Sequence, residues 1–253
     1  MLNTIEELKS TRKEILHVCE KRLDGRNNGR AIVKNFSSSV DDFIISVWQE
    51  CAKSLIEDVD LIAIGGFGRS ELCPHSDWDL LVLVGDDLSH ELKKLLSKFA
   101  QMIWDSGANF SHSVRSVKEA KAFFEIDHHA RTAFLESRLL AGKGRLYSEL
   151  SRTEAVENWD LHRQKNFCLQ KLEESKVRRA KFGDTAFCME PNVKNGKGGL
   201  RDVSTIFWLS MVWYRVSAAR KLINEKIVSE TEFDGFVKAR DFLWKVRTAL
   251  HLE

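Results

Sequence analysis

The segment at residues 64–81 constrains the fold more than any other part of the chain, because it places glycines and aspartates between two strand-like runs. It reads IGGFGRSELCPHSDWDLL. The residues at 59–64 and 80–84 are short, apolar and rich in branched side chains. Such runs, when they stop at glycines, indicate buried strands that feed a tight turn. The sequence therefore predicts a strand, a glycine turn and a second strand that begins at acidic residues.

The first half of this unit contains Gly65, Gly66 and Gly68. Glycine adopts positive φ without strain and lets a phosphate approach the backbone, and consecutive N–H groups at a turn or at the start of a short helix can bind an anion. The G-G-x-G pattern is neither a Walker loop, since no Gly-Lys-Ser/Thr follows, nor the G-x-G-x-x-G of a dinucleotide site. The glycines predict a phosphate cradle of another kind.

The second half contains Asp77 and Asp79, which are two residues apart at the mouth of a strand and are therefore expected on one face. Neighbouring carboxylates repel each other, and Mg²⁺ binds through one or two carboxylates together with substrate phosphates. Arg69 and Ser76 lie between the glycines and the aspartates and can add donors to a phosphate. A Gly-Gly turn or a D-x-D pair alone is more often structural. Their ordered combination predicts a metal–triphosphate site, with both aspartates as metal ligands and catalytic residues.

Apolar residues at helical spacing surround this unit. They predict two helices before the first strand, a helix over residues 88–104 and another over residues 128–140. Residues 109–115 alternate enough to predict a third strand. Three pairs have the spacing of a helix-starting capping box, in which a Ser or Thr precedes a Glu by three residues. These pairs are Thr4 with Glu7, Ser116 with Glu119, and Ser229 with Glu232.

The pattern becomes almost wholly helical after residue 150. We therefore expect an α+β protein, in which a small mixed sheet with flanking helices occupies residues 1–150 and a helical domain occupies residues 151–253. The chain ends within a helical pattern at residues 250–253, without a stop signal. That ending predicts a fragment of a longer chain.

Composition excludes several classes of function. The 253 residues carry 39 Lys and Arg against 37 Asp and Glu, and no long block of one sign occurs, which argues against a nucleic-acid partner. No apolar run approaches the roughly 20 residues of a membrane span, and the N-terminal stretch lacks the apolar region of a signal peptide. We therefore expect a cytoplasmic protein with no membrane association. Its five cysteines include no C-x-x-C pair, which argues against a zinc site.

The strand, Gly-Gly and D-x-D order resembles the marker of the nucleotidyltransferases of the DNA polymerase β superfamily. The segment is more similar to that of the bacterial PII uridylyltransferase/uridylyl-removing enzymes, which has the form G-G-x-G-R-x-E-L-x-P-x-S-D-x-D. The resemblance extends over residues 61–251. Further agreeing stretches are HSVR at 112–115, ESRLL at 136–140, EPNVK at 190–194 and GGLRD at 198–202.

This resemblance implies a polymerase β-like nucleotidyltransferase domain that transfers UMP from UTP to a tyrosine of the PII nitrogen-regulatory protein. A pair of Mg²⁺ ions at the aspartates clamps the reacting oxygens in such sites, and the glycine amides cradle the β- and γ-phosphates. In the loop KNGKGGLRD at 194–202, the residues Lys194, Lys197 and Arg201 can wrap the triphosphate, and Arg201 is the preferred contact. The alternative is a structural glycine-rich loop between two helices.

The third acid and the general base stay open. Polymerase-like relatives place a third carboxylate on the next strand, but residues 109–115, NFSHSVR, contain no acid. Asp105, Glu136 and Asp202 are candidates, although surface or capping roles are more usual for such residues. His112 is a candidate base, although a lone histidine on a strand is more often structural.

Two other functions remain compatible with these residues. The first is a nucleotidyltransferase that uses another nucleobase or another acceptor, such as an adenylyltransferase. The second is a nucleotide-sensing module without catalysis, which the missing third acid permits. The resemblance also implies C-terminal HD and ACT domains for uridylyl removal and glutamine sensing. Neither lies within these residues, so we expect no uridylyl-removing activity and no glutamine response from this chain.

Overall fold

The computed structural model describes residues 4–25, 27–52, 58–185, 187, 189–215 and 221–253. The described chain forms two compact units, one ending at Glu154 and the other beginning at Ala155. The first contains a sheet between helices, and the second is helical in its described residues. This architecture confirms the predicted α+β class.

The first unit is built on a mixed sheet of four strands with the order β3-β2-β1-β4. The strands are β1 at Val59–Ala63, β2 at Trp78–Val84, β3 at Phe110–Ser116 and β4 at Arg138–Ala141. Strand β1 is antiparallel to β2 and to β4, whereas β2 and β3 are parallel. The parallel pair places the ends of β2 and β3 beside each other, at the point where β1 leads into the glycine turn.

Seven helices are described around this sheet. Their bounds are α1 at Ile5–Asp24, α2 at Gly29–Cys51, α3 at Gly65–Gly68, α4 at His90–Asp105, α5 at Val117–Ile126, α6 at His128–Leu135 and α7 at Arg145–Glu154. Capping boxes start α1 and α5, as their sequences predict. Helices α1, α2 and α4 pack in the core on one sheet face, and α5, α6 and α7 pack on the other.

The alternation of strand residues fixes which face each side chain occupies. Leu61 and Leu80 belong to the core beneath α2 and α4, whereas Ile62 and Leu81 pack with α5 to α7. All five residues of β1 are buried, which explains why its sequence is continuously apolar apart from Asp60. The Asp60 carboxylate accepts hydrogen bonds from the backbone of α7 and the segment before it.

The helix predicted over residues 128–140 is wrong in its second half. Helix α6 ends at Leu135, and Arg138–Ala141 forms the edge strand β4 instead. Leu139 and Ala141 pair with β1. The sequence RLLA is too short to reveal a strand period, and the pairing with β1 overrides its helical propensity.

The second unit contains a 3₁₀ turn at Val156–Asn158 and four described helices. These are α8 at Leu161–Phe182, α9 at Leu200–Tyr214, α10 at Lys221–Asn224 and α11 at Glu230–Leu252. The predicted capping box at Ser229 starts α11. Among the described residues, no helix combines the length and apolar character that a membrane crossing needs.

Candidate nucleotide-binding site

The glycine turn, residues 65–68, connects β1 to the loop before β2 and forms the single helical turn α3. Gly68 N–H donates to the Ile64 carbonyl at 3.0 Å, and Arg69 N–H donates to the Gly65 carbonyl at 3.0 Å. The first N–H groups of such a turn have no partner inside it. The turn therefore presents backbone donors at the end of β1.

The glycines of this turn are needed for different reasons. Gly65 has φ +58°, a conformation that favours glycine. A Cβ at Gly68 would overlap the backbone oxygen of Glu136, so the packing of the chain against this position requires glycine. A Cβ at Gly66 would meet only a side-chain nitrogen of Arg69, at an ordinary 3.8 Å. Neither conformation nor packing explains Gly66, and the space beside it is open to a ligand.

Asp79 lies on β2 beside this turn. Its backbone oxygen accepts from Ile64 N–H at 3.1 Å, and a Cβ at Gly65 would lie 3.9 Å from its Oδ2 atom. Its other carboxylate oxygen, Oδ1, accepts a hydrogen bond from Ser111 Oγ at 2.6 Å. The β1–β2 pairing thus holds the Asp79 carboxylate next to the glycine turn.

Asp77 lies just before β2 and is exposed. Between the two aspartates, Trp78 is buried in the core at 3% exposure, while both aspartates stay outside the core. Ser76 closes the loop before Asp77, because its hydroxyl accepts from Cys73 N–H at 3.0 Å and its own N–H donates to the Cys73 carbonyl at 2.9 Å. Ser76 therefore shapes this loop, and its contact with a nucleotide stays a prediction.

Arg69 is held between two carboxylates. Its Nε donates to Glu71 at 2.6 Å, and its Nη1 donates to Glu136, whose side chain is 4% exposed. Burial alone would lower the pKa of Arg69, but the negative charges of Glu136 and Glu71 raise it above its usual value. These contacts tie the end of the glycine turn to the segment before β4. They also give Glu136 a structural partner.

Arg138, the first residue of β4, holds the same turn from the other side. Its Nε donates to the Gly68 carbonyl and its Nη2 to the Phe67 carbonyl, both at 3.2 Å, and Nη2 also contacts Asp41 at 2.7 Å. These bonds satisfy carbonyl groups that a one-turn helix leaves open. Strand β4, which the sequence did not predict, is therefore a support of the glycine turn.

The other candidate acids have different surroundings. Asp105 accepts from Gln101 on the surface of α4 at 2.8 Å. Asp202 lies in the second unit, where it is paired with Arg178 and Arg179. Burial would raise the pKa of Asp202, but hydrogen bonds and charges from Arg178 and its neighbours lower it instead. These contacts give Asp105 and Asp202 structural roles that do not require a metal.

His112 lies on the opposite face of the sheet from Asp79. In the β2–β3 register it pairs with Leu80, whereas Asp79 pairs with Ser111. Its ring stacks on Phe110 at 5.1 Å and lies 5.8 Å from the ring of Trp104. Burial lowers the pKa of His112. This environment is that of a packed aromatic cluster.

Lys194 and Arg201 belong to the second unit, in the loop that leads into α9. Arg201 N–H donates to the Lys194 carbonyl at 2.8 Å, which brings the two backbones together. The Asn192 side chain accepts from the N–H groups of Lys194 and Asn195. The Arg201 guanidinium lies 5.6 Å from the Trp208 ring. The loop is thus a compact turn, and its contact with phosphate stays a prediction.

Ser111 is the residue at this site that sequence reasoning missed. The third strand contains no acid, but the structure places the Ser111 hydroxyl next to Asp79. A small polar residue at the start of a strand that pairs with the D-x-D strand is the signal that can reveal such a contact. The signal depends on knowing the register of the two strands.

Comparisons with known proteins show which enzymes the chain resembles. Residues 166–253 match the family described as GlnD PII-uridylyltransferase. The chain is similar to proteins named bifunctional uridylyltransferase/uridylyl-removing enzyme. One from Ectopseudomonas mendocina is 36% identical over 246 residues, 95% of this chain and 27% of that protein, and one from Pseudomonas fluorescens is 37% identical over 246 residues, with the same coverage. A third, from Azospirillum brasilense, is 39% identical over 198 residues, 77% of this chain and 21% of that protein.

The aligned part spans only about a quarter of the length of these relatives, as 27% coverage shows. It includes nearly the whole of this chain, so the similarity is not limited to the glycine and aspartate motif. The resemblance inferred from the sequence motifs is confirmed. Over nearly its whole length, the chain is related to part of the bifunctional uridylyltransferase/uridylyl-removing enzymes.

Proposed function

We propose that this chain is a Mg²⁺-dependent nucleotidyltransferase that transfers UMP from UTP to a tyrosine hydroxyl of the PII protein. The observation that carries this proposal is the place of Asp79. Its carboxylate lies beside the glycine turn, where Gly66 leaves open space that packing does not explain. A carboxylate next to exposed backbone donors suits a metal-bound triphosphate.

The residues present fit a hard divalent cation. Asp77 and Asp79 supply carboxylate oxygens, which Mg²⁺ prefers, and both lie outside the core. The Oδ2 atom of Asp79 faces Gly65, so a cation held there would adjoin phosphates on the turn. When bound, Mg²⁺ supplies neutralisation of charge on the reacting oxygens. We assign both aspartates as the metal ligands and as the catalytic residues.

We assign nucleotide binding to the glycine turn and to the side chains near it. The amides of Gly65 and Gly66 would bind phosphate oxygens, with Gly66 providing the room. Gly68, whose N–H donates to the Ile64 carbonyl at 3.0 Å, would contribute by closing the turn that presents them. Arg69 and Ser76 would act at this site too, and their contacts with Glu71 and Cys73 show that they also shape it. Lys194 and Arg201 lie in the second unit, in the loop before α9, and their role in nucleotide binding stays a prediction from the sequence.

The proposed reaction forms one bond and breaks one. The tyrosine oxygen attacks the α-phosphorus of UTP, the bond to the β-phosphate oxygen breaks, and pyrophosphate leaves. The tyrosine must lose its proton in or before this step, because its pKa is about 10 in water. No residue of this chain is assigned as the general base. The proton passes to solvent in the simplest form of the reaction.

The acceptor protein and the nucleobase of the nucleotide are the most specific parts of the proposal. The family match carries the description PII-uridylyltransferase, which supports PII as the partner. The nearly balanced charge, 39 basic against 37 acidic residues, favours a protein acceptor over a nucleic acid. The cytoplasmic location stays a prediction.

The test is incubation of the purified chain with PII, Mg²⁺ and each nucleoside triphosphate, followed by mass measurement of PII. We expect a gain of one UMP from UTP alone. Asp77→Asn should abolish the gain while leaving UTP binding detectable, and Asp87→Asn, which changes an exposed aspartate after β2, should leave it intact. A gain from ATP instead would indicate an adenylyltransferase. Nucleotide binding without any product would indicate a sensing module.

A further inference from the structure

We infer that Ser111 is a positioning residue that orients the Asp79 carboxylate for the cation, and this inference rests on the proposed function. The Ser111 hydroxyl lies 2.6 Å from Asp79 Oδ1. An ionised carboxylate only accepts hydrogen bonds, so the serine must donate its proton to Asp79. Such bonds to a charged acceptor are shorter and stronger than neutral ones.

The strand register makes this contact a property of the fold. Strands β2 and β3 are parallel, and Asp79 pairs directly with Ser111. Paired residues of neighbouring strands point to the same face, so their side chains stand next to each other. The contact therefore forms whenever these two strands pair in this register.

The contact gives the two oxygens of Asp79 different surroundings. Oδ1 is held by Ser111, whereas Oδ2 faces Gly65, with 3.9 Å to the place where a Cβ would lie. Partial rotation about the Cβ–Cγ bond would move both oxygens away from these positions, and the hydrogen bond to Ser111 restricts that rotation. Ser111 thereby keeps Oδ2 directed at the glycine turn.

This role differs from that of a third acid. A carboxylate at this position would add negative charge to the site, whereas a hydroxyl adds none. Hydrogen bonds that orient a metal ligand commonly change metal affinity or activity by about 10–100-fold. Ser111 would therefore be detected as a determinant of metal-dependent binding.

Ser113 provides a matched control. It lies on the same strand and the same face, two residues further along, and pairs with Leu81. Ser111 is exposed, and Ser113 is half-buried. Ser113→Ala removes a serine hydroxyl from the same strand face and leaves the hydrogen bond between Ser111 and Asp79 in place.

The experiment measures binding of Mn²⁺ and of a UTP analogue whose α,β-bridging oxygen is a methylene group, by calorimetry, for the whole chain. We expect Ser111→Ala to weaken binding of the metal–nucleotide complex by about 10-fold. Binding of the analogue in the presence of a chelator and the melting temperature without metal should not change. Ser111→Thr should restore metal-dependent binding, and Ser113→Ala should match the wild type.

Several results would overturn this inference. They are wild-type affinity in Ser111→Ala, an equal loss in Ser113→Ala, or failure of the threonine variant to restore binding. In those cases the proposed nucleotidyltransferase site would still stand. If the wild-type chain itself does not bind the metal–nucleotide complex, the proposed function fails and this inference fails with it.

Discussion

The two glycine-rich segments of this protein use their glycines differently. In the second-unit loop, a Cβ at Gly196 or Gly199 would lie 2.7 Å from a backbone oxygen, and Gly198 has φ +77°. Packing or conformation therefore explains each of these glycines. In the glycine turn of the first unit, the same reasons explain Gly65 and Gly68 but not Gly66. Glycine content alone does not identify a phosphate site. Gly66 is singled out because packing and conformation do not require it and because it belongs to the turn beside the Asp79 carboxylate.

The carboxylates beside these segments differ in the same way. Asp202 is neutralised by Arg178 and Arg179 and also accepts from Gly198 N–H at 2.8 Å. Asp79 accepts from the neutral Ser111 hydroxyl and faces the glycine turn. The first acid stabilises its own loop, and the second is placed for a ligand. Substitutions that separate stability from activity test this distinction.

Asp79→Asn should have the largest effect. We expect transfer of UMP to fall by about 1,000-fold, because several kcal/mol of charge stabilisation by the metal would be lost. The melting temperature should change little, since Asp79 lies outside the core. Initial rates of PII modification and thermal unfolding measure the two effects. Normal rates in this variant would remove Asp79 from the site.

Asp202→Asn should show the opposite pattern. It leaves the positive charges of Arg178 and Arg179 without their carboxylate, and breaking a largely buried pair costs about 3 kcal/mol. Denaturant unfolding should report this loss. Activity per folded molecule should remain close to that of the wild type. A large loss of activity at unchanged stability would mean that Asp202 acts in catalysis.

Gly66→Ala should have an intermediate effect. The new methyl group meets only ordinary contacts inside the protein, so stability should be preserved. It would occupy the space proposed for phosphate and should weaken UTP binding by about 10-fold, equivalent to 1.4 kcal/mol. Calorimetric titration with UTP measures this change.

Gly68→Ala is the companion to this variant within the same turn. Its methyl group would overlap the backbone of Glu136, and such overpacking costs about 1–3 kcal/mol of folding stability. If both alanine variants lose only stability, the turn has a structural role like that of the second-unit loop.

Arg201→Ala should have the smallest effect. We expect UTP binding to weaken by about 3-fold, since a partly exposed cation contributes at most about 1 kcal/mol. Lys176→Ala is the control, because Lys176 pairs with Glu173 on the exposed surface of α8, outside the loop. Equal UTP affinity in both variants and the wild type would restrict phosphate binding to the first unit.

Local sequence signals predicted the parts of the fold that depend on neighbouring residues. The branched run of β1, the glycine turn and the start of β2 follow from residue type and order alone. The capping boxes at Thr4, Ser116 and Ser229 are present as predicted, because the bonding groups are three residues apart. Each of these features depends on residues that are close together in the sequence.

Features that join distant residues were not predictable in this way. The contact of Ser111 with Asp79 requires the parallel register of two strands separated by a helix. The ion pair of Arg69 with Glu136 joins positions 67 residues apart. Strand β4 has only four residues, so its pairing with β1 rather than its own period decides its conformation. Such information arises only when the whole sheet assembles.

The hydrogen bonds from Arg138 to the carbonyls of Phe67 and Gly68 determine how far this protein can be truncated. A shortened version that stops after β3 would retain the three glycines of the turn and both aspartates, yet it would lose strand β4 and the Arg138 guanidinium that anchors the turn. A minimal excised module must therefore extend through Ala141, although the motif itself ends 62 residues earlier at Asp79.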